Sequence, residues 1–285
     1  MLKTAYGVFA YNEQEHITQC IESIRCQDPK SNIYVLINGC KDNTEEVVKL
    51  LADDDKYIHP VIITLGDKSN AWNVFVHELA IEADLYMFLD GDCRVVKSAI
   101  ENIKKHAKSS VNAIAATPKN VGRTTLKQEQ EMLTNGGLAG NLYALTSHFV
   151  ERIRELKIKI PVGTIGEDGF VGAMAYWDLD ATNKWDLEKV KVLQNAKFDY
   201  DPLSIFSFTD LKLYFNRKKR YSLRQIQNKM ITSTLKSEGY ELLPDNIDQL
   251  YSQFDGTSML KWNGIDTYFD LLAIKEIKKQ AKHAS

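Results

Sequence analysis

Two aspartates separated by one glycine, Asp90-Gly91-Asp92, are the residues of this sequence best suited to metal chemistry. They follow a wholly apolar segment, residues 85–89, which is typical of a buried strand. Carboxylate oxygens are the ligands that hard divalent cations prefer, and a glycine allows a close backbone approach. A cation held there would neutralise a diphosphate. Solvated turns often have the same composition, but the position after a buried strand favours a binding site.

Three further charged groups could serve the same chemistry. Lys68 follows a glycine turn at the start of a predicted helix, where it can balance part of a diphosphate's charge or simply be an exposed turn lysine. Glu167 and Asp168 are either a proton-transfer pair or a helix-capping pair. The densest basic run, RKKR, either offers Arg217 and Arg220 to phosphates or forms a solvated helix face.

Alternating strand and helix patterns must position these groups. Asn12 and Glu15 have capping-box spacing before the first helix, and apolar residues over 72–83 predict the third. The rhythm predicts an α/β fold with a mostly parallel sheet, helices on both faces and ligands beyond the carboxyl ends of the strands. The four predicted strands cover residues 4–11, 33–37, 61–65 and 85–89.

The second half of the chain is less regular. Patterns there predict a strand at 112–117, a helix at 124–134 and a strand at 142–146, and the chain becomes mainly helical from about residue 210. We therefore predict an α/β domain over residues 1–210 and a helical C-terminal extension over residues 211–285, packed on or beside it.

Composition narrows the class of protein. The 285 residues carry 36 Lys+Arg and 38 Asp+Glu, a net charge of −2, which does not give the basic field of a nucleic-acid binder. The four cysteines lack the spacing of a zinc site. No apolar run suits a secretory signal or an integral membrane segment. We expect a cytoplasmic protein, with weak peripheral contact of the lysine-rich tail at the inner membrane surface as an open alternative.

An ordered set of motifs resembles the nucleotide-sugar glycosyltransferases of family 2, which have the Rossmann-like GT-A fold. The resemblance spans about residues 4–221, and Asn38 departs from it because an acid is common at that position. FLDGD stands where that family has its DXD motif. The other matching segments are AYNEQEHITQCIESI, LINGCKDNT, DKSNAWN, GNLYALTSHFVERI, GEDGFVGAMA and, more loosely, RKKRY.

The resemblance implies a role for each site residue. Tyr11, Glu13 and Asn38 would contact the nucleoside of the donor. Asp168, the second acid of the ED motif, would be the catalytic base, with Glu167 tuning it or contacting the acceptor. The other residues would bind the donor diphosphate or its metal ion: Lys68, Asp90, Asp92, Arg217 and Arg220.

The sequence thus predicts a metal-dependent, inverting glycosyltransferase of the hexosyltransferase type. It would use Mn²⁺ or Mg²⁺ and a UDP or GDP sugar, and would act on a glycan, lipid-linked or small-molecule acceptor in polysaccharide or glycoconjugate synthesis. Two alternatives remain open at this level. A nucleotidyltransferase would normally have a glycine-rich loop after the first strand, where this chain has AYNEQ. A non-catalytic nucleotide-sugar-binding protein would keep the binding residues without turnover.

Overall fold

A computed structural model describes residues 2–79, 81–119, 121–201, 208–252, 254, 264 and 266–284. The chain divides into two compact units, one formed by residues 1–158 and 167–201 and the other by residues 159–166 and 202–285. The predicted domain boundary at residue 210 stays a prediction; the long helix of the second unit begins at Phe208. No helix in the described part of the chain combines the length and apolar character needed to cross a membrane.

The first unit is built on a mixed sheet with the strand order β3-β2-β1-β4-β7-β6-β8-β5. Strands β1 to β4 are parallel, and β7 runs antiparallel beside β4. This mostly parallel sheet flanked by helices confirms the predicted fold class. The strands described are β1 Thr4–Ala10, β2 Asn32–Asn38, β3 Ile58–Ile63, β4 Leu85–Asp90, β5 Cys93–Val95, β6 Ala113–Pro118, β7 Leu142–Thr146 and β8 Val190–Tyr200.

Helices connect the strands, and their apolar residues are buried at helical spacing, as at Ile17, Ile21 and Ile24. The helices of the first unit are α1 Ile17–Arg25, α2 Thr44–Asp54, α3 Lys68–Asn73, α4 Ala99–His106, α5 Arg123–Asn135, α6 Ser147–Glu155 and α7 Glu167–Tyr176. A π-helical turn, Val74–Glu78, follows α3, and a 3₁₀ turn, Leu187–Lys189, precedes β8.

The parallel register gathers the strand tips at one edge of the sheet. Phe9 of β1 pairs with Asp90 of β4, and Asn38 of β2 pairs with Ile63 of β3. All seven residues of β1 are buried, as a central strand covered on both faces requires. The loops after β1, β2, β3 and β4 therefore meet at this edge, where the sequence predicts the binding site.

Two local predictions were wrong. Asn12 does not cap α1, which begins at Ile17; Asn12 has a left-handed backbone, and its side-chain oxygen accepts a hydrogen bond from the Lys41 amide at 2.7 Å. The third helix starts at Lys68, as predicted, but α3 ends at Asn73 and a π-helical turn follows over Val74–Glu78. The predicted regular helix therefore does not continue over 74–78, and residue 80 of the predicted stretch lies outside the described residues. At Asn12 a tertiary hydrogen bond takes the place of the expected helix cap.

The second unit is helical, with α8 Phe208–Glu238, α9 Asp248–Tyr251, α10 Asp266–Ala284 and a 3₁₀ turn at Tyr240–Leu242. Gln227 of α8 links its parts. Its side-chain nitrogen donates to the hydroxyl of Tyr251 at 2.7 Å and to the carbonyl of Gly163 at 3.0 Å, and its side-chain oxygen accepts from the amide of Ile165 at 2.7 Å. This buried amide thereby fixes the segment 159–166 to the helices of its own unit.

The turn after β2 depends on Gly39. Its φ is +67°, and a Cβ there would lie 2.7 Å from the backbone of Gly66. We expect Gly39→Ala to lower the free energy of unfolding by about 1–3 kcal/mol. Gly122→Ala is the control, because nothing lies within 4 Å of its Cβ position and its φ is extended. Urea denaturation of both variants tests this; equal losses would contradict it.

Candidate active site

The acidic tip of β4 is held by the neighbouring strand. Asp90 is the last residue of β4, and the amide of Gly91 donates to the carbonyl of Phe9 at 2.8 Å. A Cβ on residue 91 would lie 2.9 Å from that carbonyl, so the turn requires glycine. Asp92 is half-buried, and its Oδ1 accepts a hydrogen bond from the Cys93 thiol at 3.3 Å. The structure thus fixes both aspartates at the carboxyl edge of the sheet.

Lys68 joins the acidic tip of β4 to the start of α7. Its ammonium forms ion pairs with Asp90 and with Oε1 of Glu167, the latter at 2.7 Å. Burial opposes the charge on Lys68, but the two carboxylates outweigh it and raise the pKa of Lys68 well above its usual value. The lysine is therefore a fixed positive charge at the centre of the acidic cluster rather than an exposed turn lysine.

The side chain of Asp168 lies close to the ammonium of Lys68, with Gly140 next to both. The Gly140 amide donates to Oδ2 of Asp168 at 3.3 Å, and a Cβ on Gly140 would lie 3.2 Å from Nζ of Lys68 and 3.3 Å from Cβ of Asp168. Glu167 is buried, and both acids occupy the first turn of α7, where the helix dipole favours negative charge. The structure therefore places Asp168, the predicted base, close to the ion pair between Lys68 and Asp90, with only Gly140 between them.

The predicted nucleoside residues lie at the tips of β1 and β2. Tyr11 is half exposed, and its ring lies next to Gly66. Glu13 packs against Gly91, and its Oε2 lies 3.1 Å from Nδ1 of His16. Asn38 is buried, and its Oδ1 accepts from the Asp67 amide at 3.0 Å, which ties the β2 tip to the turn before α3. Contact of these residues with a nucleoside stays a prediction.

Arg217 and Arg220 lie on α8 in the second unit, and both are exposed. The two lysines between them pair within that unit: Lys218 with Asp266 at 3.0 Å and Lys219 with Glu276 at 3.2 Å. The lysines of the RKKR run thus join α8 to α10. A contact of the two arginines with a diphosphate stays a prediction.

A divalent cation is compatible with this acidic edge. No group of three His, Cys, Asp or Glu side chains within the described residues is arranged to hold a metal by itself. Mg²⁺ is usually bound through one or two carboxylates, with substrate phosphates and water completing the coordination. Asp90 and Asp92 match that donor set, and Glu167 and Asp168 lie beside them, with Lys68 paired to both Asp90 and Glu167.

Gly140 opens the quoted segment GNLYALTSHFVERI but was not among the predicted site residues, although its amide holds the carboxylate of Asp168. The signal was the glycine-rich run of residues 136–140 directly before β7. The strands β8 and β5 were not predicted either. Asp201, directly after β8, accepts hydrogen bonds from two guanidinium nitrogens of Arg94 at 2.7 and 3.1 Å, and Arg94 lies in β5 just after the acidic tip. Arg94 follows Asp92 by two positions, but Asp201 lies 107 residues further along the chain. Sequence spacing therefore gave no indication of the Arg94–Asp201 ion pair.

Two carboxyl groups of this edge predict how stability depends on pH. Burial, with Asp92 nearby, raises the pKa of Glu13 from 4.5 to about 7. Burial, with Glu167 and Asp92 adding to it against Lys68, raises the pKa of Asp90 from 3.8 to about 7. Both groups keep protons in the folded protein that the unfolded chain has lost. Their contribution to stability is therefore full below the unfolded pKa values of 3.8 and 4.5 and is lost as pH rises to about 7.

We expect Glu13→Gln to weaken this fall in stability, because it removes one of the two titrating groups. Urea denaturation in EDTA between about pH 5 and 7 measures the effect. Glu101→Gln is the control, since its exposed carboxyl has a pKa lowered by a hydrogen bond to Lys105. An unchanged slope in the Glu13 variant would contradict the assignment.

The comparisons with known proteins agree with the fold. The family model described as glycosyl transferase family 2 matches residues 7–170, more than half of the chain. A search of curated proteins finds no match. The fold and the motif order define a GT-A glycosyltransferase. This chain belongs to glycosyl transferase family 2, and it is an enzyme of the glycosyltransferase class.

Solved structures show the same fold at low sequence identity. One is a mannosyltransferase from Pyrobaculum calidifontis in complex with GDP-Man and Mn²⁺, with 14% identity, a TM-score of 0.62, and coverage of 100% of this chain and 76% of that one. Another is TarS residues 1–349 of S. aureus, with 16% identity, a TM-score of 0.55, and coverage of 98% and 80%. GalNAc-T7 with UDP, GalNAc and Mn²⁺ has 12% identity, a TM-score of 0.52, and coverage of 87% and 55%.

Proposed function

We propose that this enzyme transfers a hexose from a nucleoside-diphosphate sugar of the UDP or GDP type to an acceptor hydroxyl, with inversion and with Mn²⁺ or Mg²⁺. The observation that carries the proposal is the meeting of three groups at one edge of the sheet. The acidic tip of β4, the ammonium of Lys68 and the acidic start of α7 are joined by the Lys68 ion pairs and by the Gly140 amide. The groups proposed to bind the donor diphosphate and the carboxylate proposed to take the acceptor proton thus lie next to one another.

Asp92, assisted by Asp90, would hold the divalent cation. When bound there, the cation supplies Lewis-acid stabilisation of the charge that develops on the leaving diphosphate. Lys68 already lies between Asp90 and Glu167, so its charge lowers the repulsion between the acids and adds to the positive field that a diphosphate meets. Arg217 and Arg220 are proposed as further diphosphate contacts, because a guanidinium group can bind phosphate in a bidentate manner.

Asp168 is the proposed base. Its carboxylate takes the proton of the acceptor hydroxyl as that oxygen forms a bond to the anomeric carbon. The bond from that carbon to the diphosphate oxygen breaks at the same time, and the electron pair leaves with the diphosphate. The hydrogen bond from Gly140 fixes the carboxylate, and Glu167 next to it is already engaged by Lys68. Asp168 is therefore the acid of the pair that is better suited to take a proton.

Tyr11, Glu13 and Asn38 are the proposed nucleoside contacts. Half-exposed Tyr11 offers a ring on which a base can stack, and Glu13 offers a carboxyl to ribose or base. We propose residues 1–210 as the catalytic domain and residues 211–285 as its helical extension. A cytoplasmic location, a role in polysaccharide or glycoconjugate synthesis and weak membrane contact of the lysine-rich tail complete the proposal.

The test is a turnover assay with UDP- and GDP-hexoses, Mn²⁺ and a panel of defined glycans, lipid-linked sugars and small polyols. Released nucleoside diphosphate measures transfer, and proton NMR of the product gives the anomeric configuration. We expect release only with metal and acceptor together, and a configuration opposite to that of the donor. Retained configuration would remove Asp168 as a base in a single displacement. Metal-dependent donor binding without any release would instead support a non-catalytic binding protein.

A further inference from the structure

Tyr176 is the last residue of α7, and the proposed mechanism does not use it. Only 1% of this residue is exposed, and its ring stacks on the indole of Trp185 with the centroids 4.3 Å apart. Its hydroxyl accepts a hydrogen bond from the amide of Gly137 at 2.6 Å. The packed ring therefore fixes the hydroxyl, and the hydroxyl binds the segment that precedes β7.

That segment, residues 136–140, lies along one face of α7. Three residues of the helix share this face because they are spaced four positions apart: Asp168, Gly172 and Tyr176. Three residues of the segment lie beside them in the opposite order: Gly140, Leu138 and Gly137. The amide of Gly140 donates to Oδ2 of Asp168 at 3.3 Å. The segment therefore links the hydroxyl at one end of α7 to the proposed base at the other end.

The segment has little freedom to move independently of these contacts. Gly136 has a φ of +76°, and a Cβ there would lie 2.9 Å from Cζ of Tyr176, so the backbone passes directly against the phenol ring. The chain from Gly137 to Gly140 covers about 10–11 Å when fully extended, and the partners of these two amides lie about 12 Å apart along the helix axis. With so little slack, release of the segment at Tyr176 displaces the amide of Gly140.

We propose that Tyr176 is a positioning residue for the base: its hydroxyl fixes the segment 136–140, and the segment fixes the Gly140 amide against Asp168. The proposal rests on the function proposed above, in which Asp168 takes the acceptor proton. A base must lie within hydrogen-bond reach of that proton, and a displacement of about 1 Å lowers the rate steeply. Tyr176 is buried at the far end of α7, so it acts on turnover through Asp168 and not by contact with a substrate.

The link is measured first without any substrate. Protein labelled with ¹⁵N-glycine has only 15 labelled residues, so the amides of Gly137 and Gly140 can be followed by NMR during hydrogen exchange. Tyr176→Phe keeps the ring on Trp185 and removes only the hydroxyl. We expect it to speed exchange about tenfold at both glycine amides. Unchanged exchange at Gly140 would overturn the link.

Tyr6→Phe is the matched control. Tyr6 is a fully buried tyrosine of β1, and its hydroxyl donates to Oδ2 of Asp28 at 2.7 Å. Its loss should lower the melting temperature at least as much as Tyr176→Phe, because the lost hydrogen bond has a charged acceptor. It should leave exchange at Gly140 and the kcat unchanged.

Kinetics then separate positioning from stability. Tyr176→Phe should lower the kcat about 10- to 100-fold and leave the KM of the donor within about twofold of wild type. In an Asp168→Asn background, the same change should have no further effect, because the base is already absent.

Three kinetic results would overturn the positioning role: a wild-type kcat in Tyr176→Phe, an equal loss of kcat in Tyr6→Phe, or a further loss in the double variant. Failure of the proposed function gives a different result. Faster exchange at Gly140 in Tyr176→Phe, with no transfer by the wild type, would support the link and contradict the function.

Discussion

Asp168→Asn is expected to lower the rate of sugar transfer by about 100- to 10,000-fold while leaving donor binding unchanged. The amide cannot accept the acceptor proton at neutral pH, but its oxygen can still accept the hydrogen bond from Gly140. The fold of the site should therefore survive the change. Initial rates of nucleoside diphosphate release, with donor affinity measured by calorimetry, test both halves of this expectation.

Two variants serve as controls for Asp168→Asn. Asp53→Asn changes an exposed aspartate of α2 and should leave the rate unchanged. Glu167→Gln should lower stability as well as rate, because it removes one of the two partners of Lys68. Turnover of Asp168→Asn within a few-fold of wild type would exclude this residue as the base.

Asp92→Ala is expected to remove the dependence of donor binding on the divalent cation. In Mn²⁺ the apparent donor affinity should fall at least about 100-fold, since a metal contributes several kcal/mol of stabilisation to phosphoryl charge. In EDTA the variant and the wild type should bind the donor equally weakly. Calorimetric titration of UDP and GDP sugars in both conditions measures the effect.

Asp92 is a sharper target than Asp90 for this purpose. Asp90 pairs with Lys68, so its replacement also leaves a partly buried ammonium with one partner fewer. The matched control is Asp53→Ala, which removes an exposed carboxylate from the end of α2. Metal-dependent donor affinity in Asp92→Ala equal to that of wild type would place the cation elsewhere.

The sequence predicted β1, β2 and β4 well, because each is a short, mostly continuous apolar run. Such runs are typical of strands covered on both faces, and β1 is buried at all seven positions. The third strand was predicted at 61–65, whereas β3 spans Ile58–Ile63 and contains His59 and Pro60. By contrast, β8 mixes buried and exposed residues, and its pairing with β6 shifts register between Ala116 and Thr117. A strand with an irregular register has no constant period, so periodicity could not reveal it.

The motif order predicted which acids reach the site, but the contacts between them depend on tertiary structure. Asp90, Lys68 and Glu167 come from three segments, and only the fold shows that one ammonium joins the other two. At Asn12 the local pattern gave a wrong prediction. Its spacing to Glu15 suits a helix cap, but its backbone is left-handed and its side chain accepts a hydrogen bond from the amide of Lys41 in the loop after β2. Local spacing cannot choose between such hydrogen-bonding partners.

The most direct test of the central claim is thermal unfolding of the protein with UDP sugars, GDP sugars and other nucleotide sugars, each with Mn²⁺ and with EDTA. A donor at about 100 times its Kd should raise the melting temperature by on the order of 5 °C. We predict that at least one sugar nucleotide does so in Mn²⁺ and that EDTA abolishes the shift. Absence of metal-dependent stabilisation by every sugar nucleotide would contradict a donor site at the acidic tip of β4.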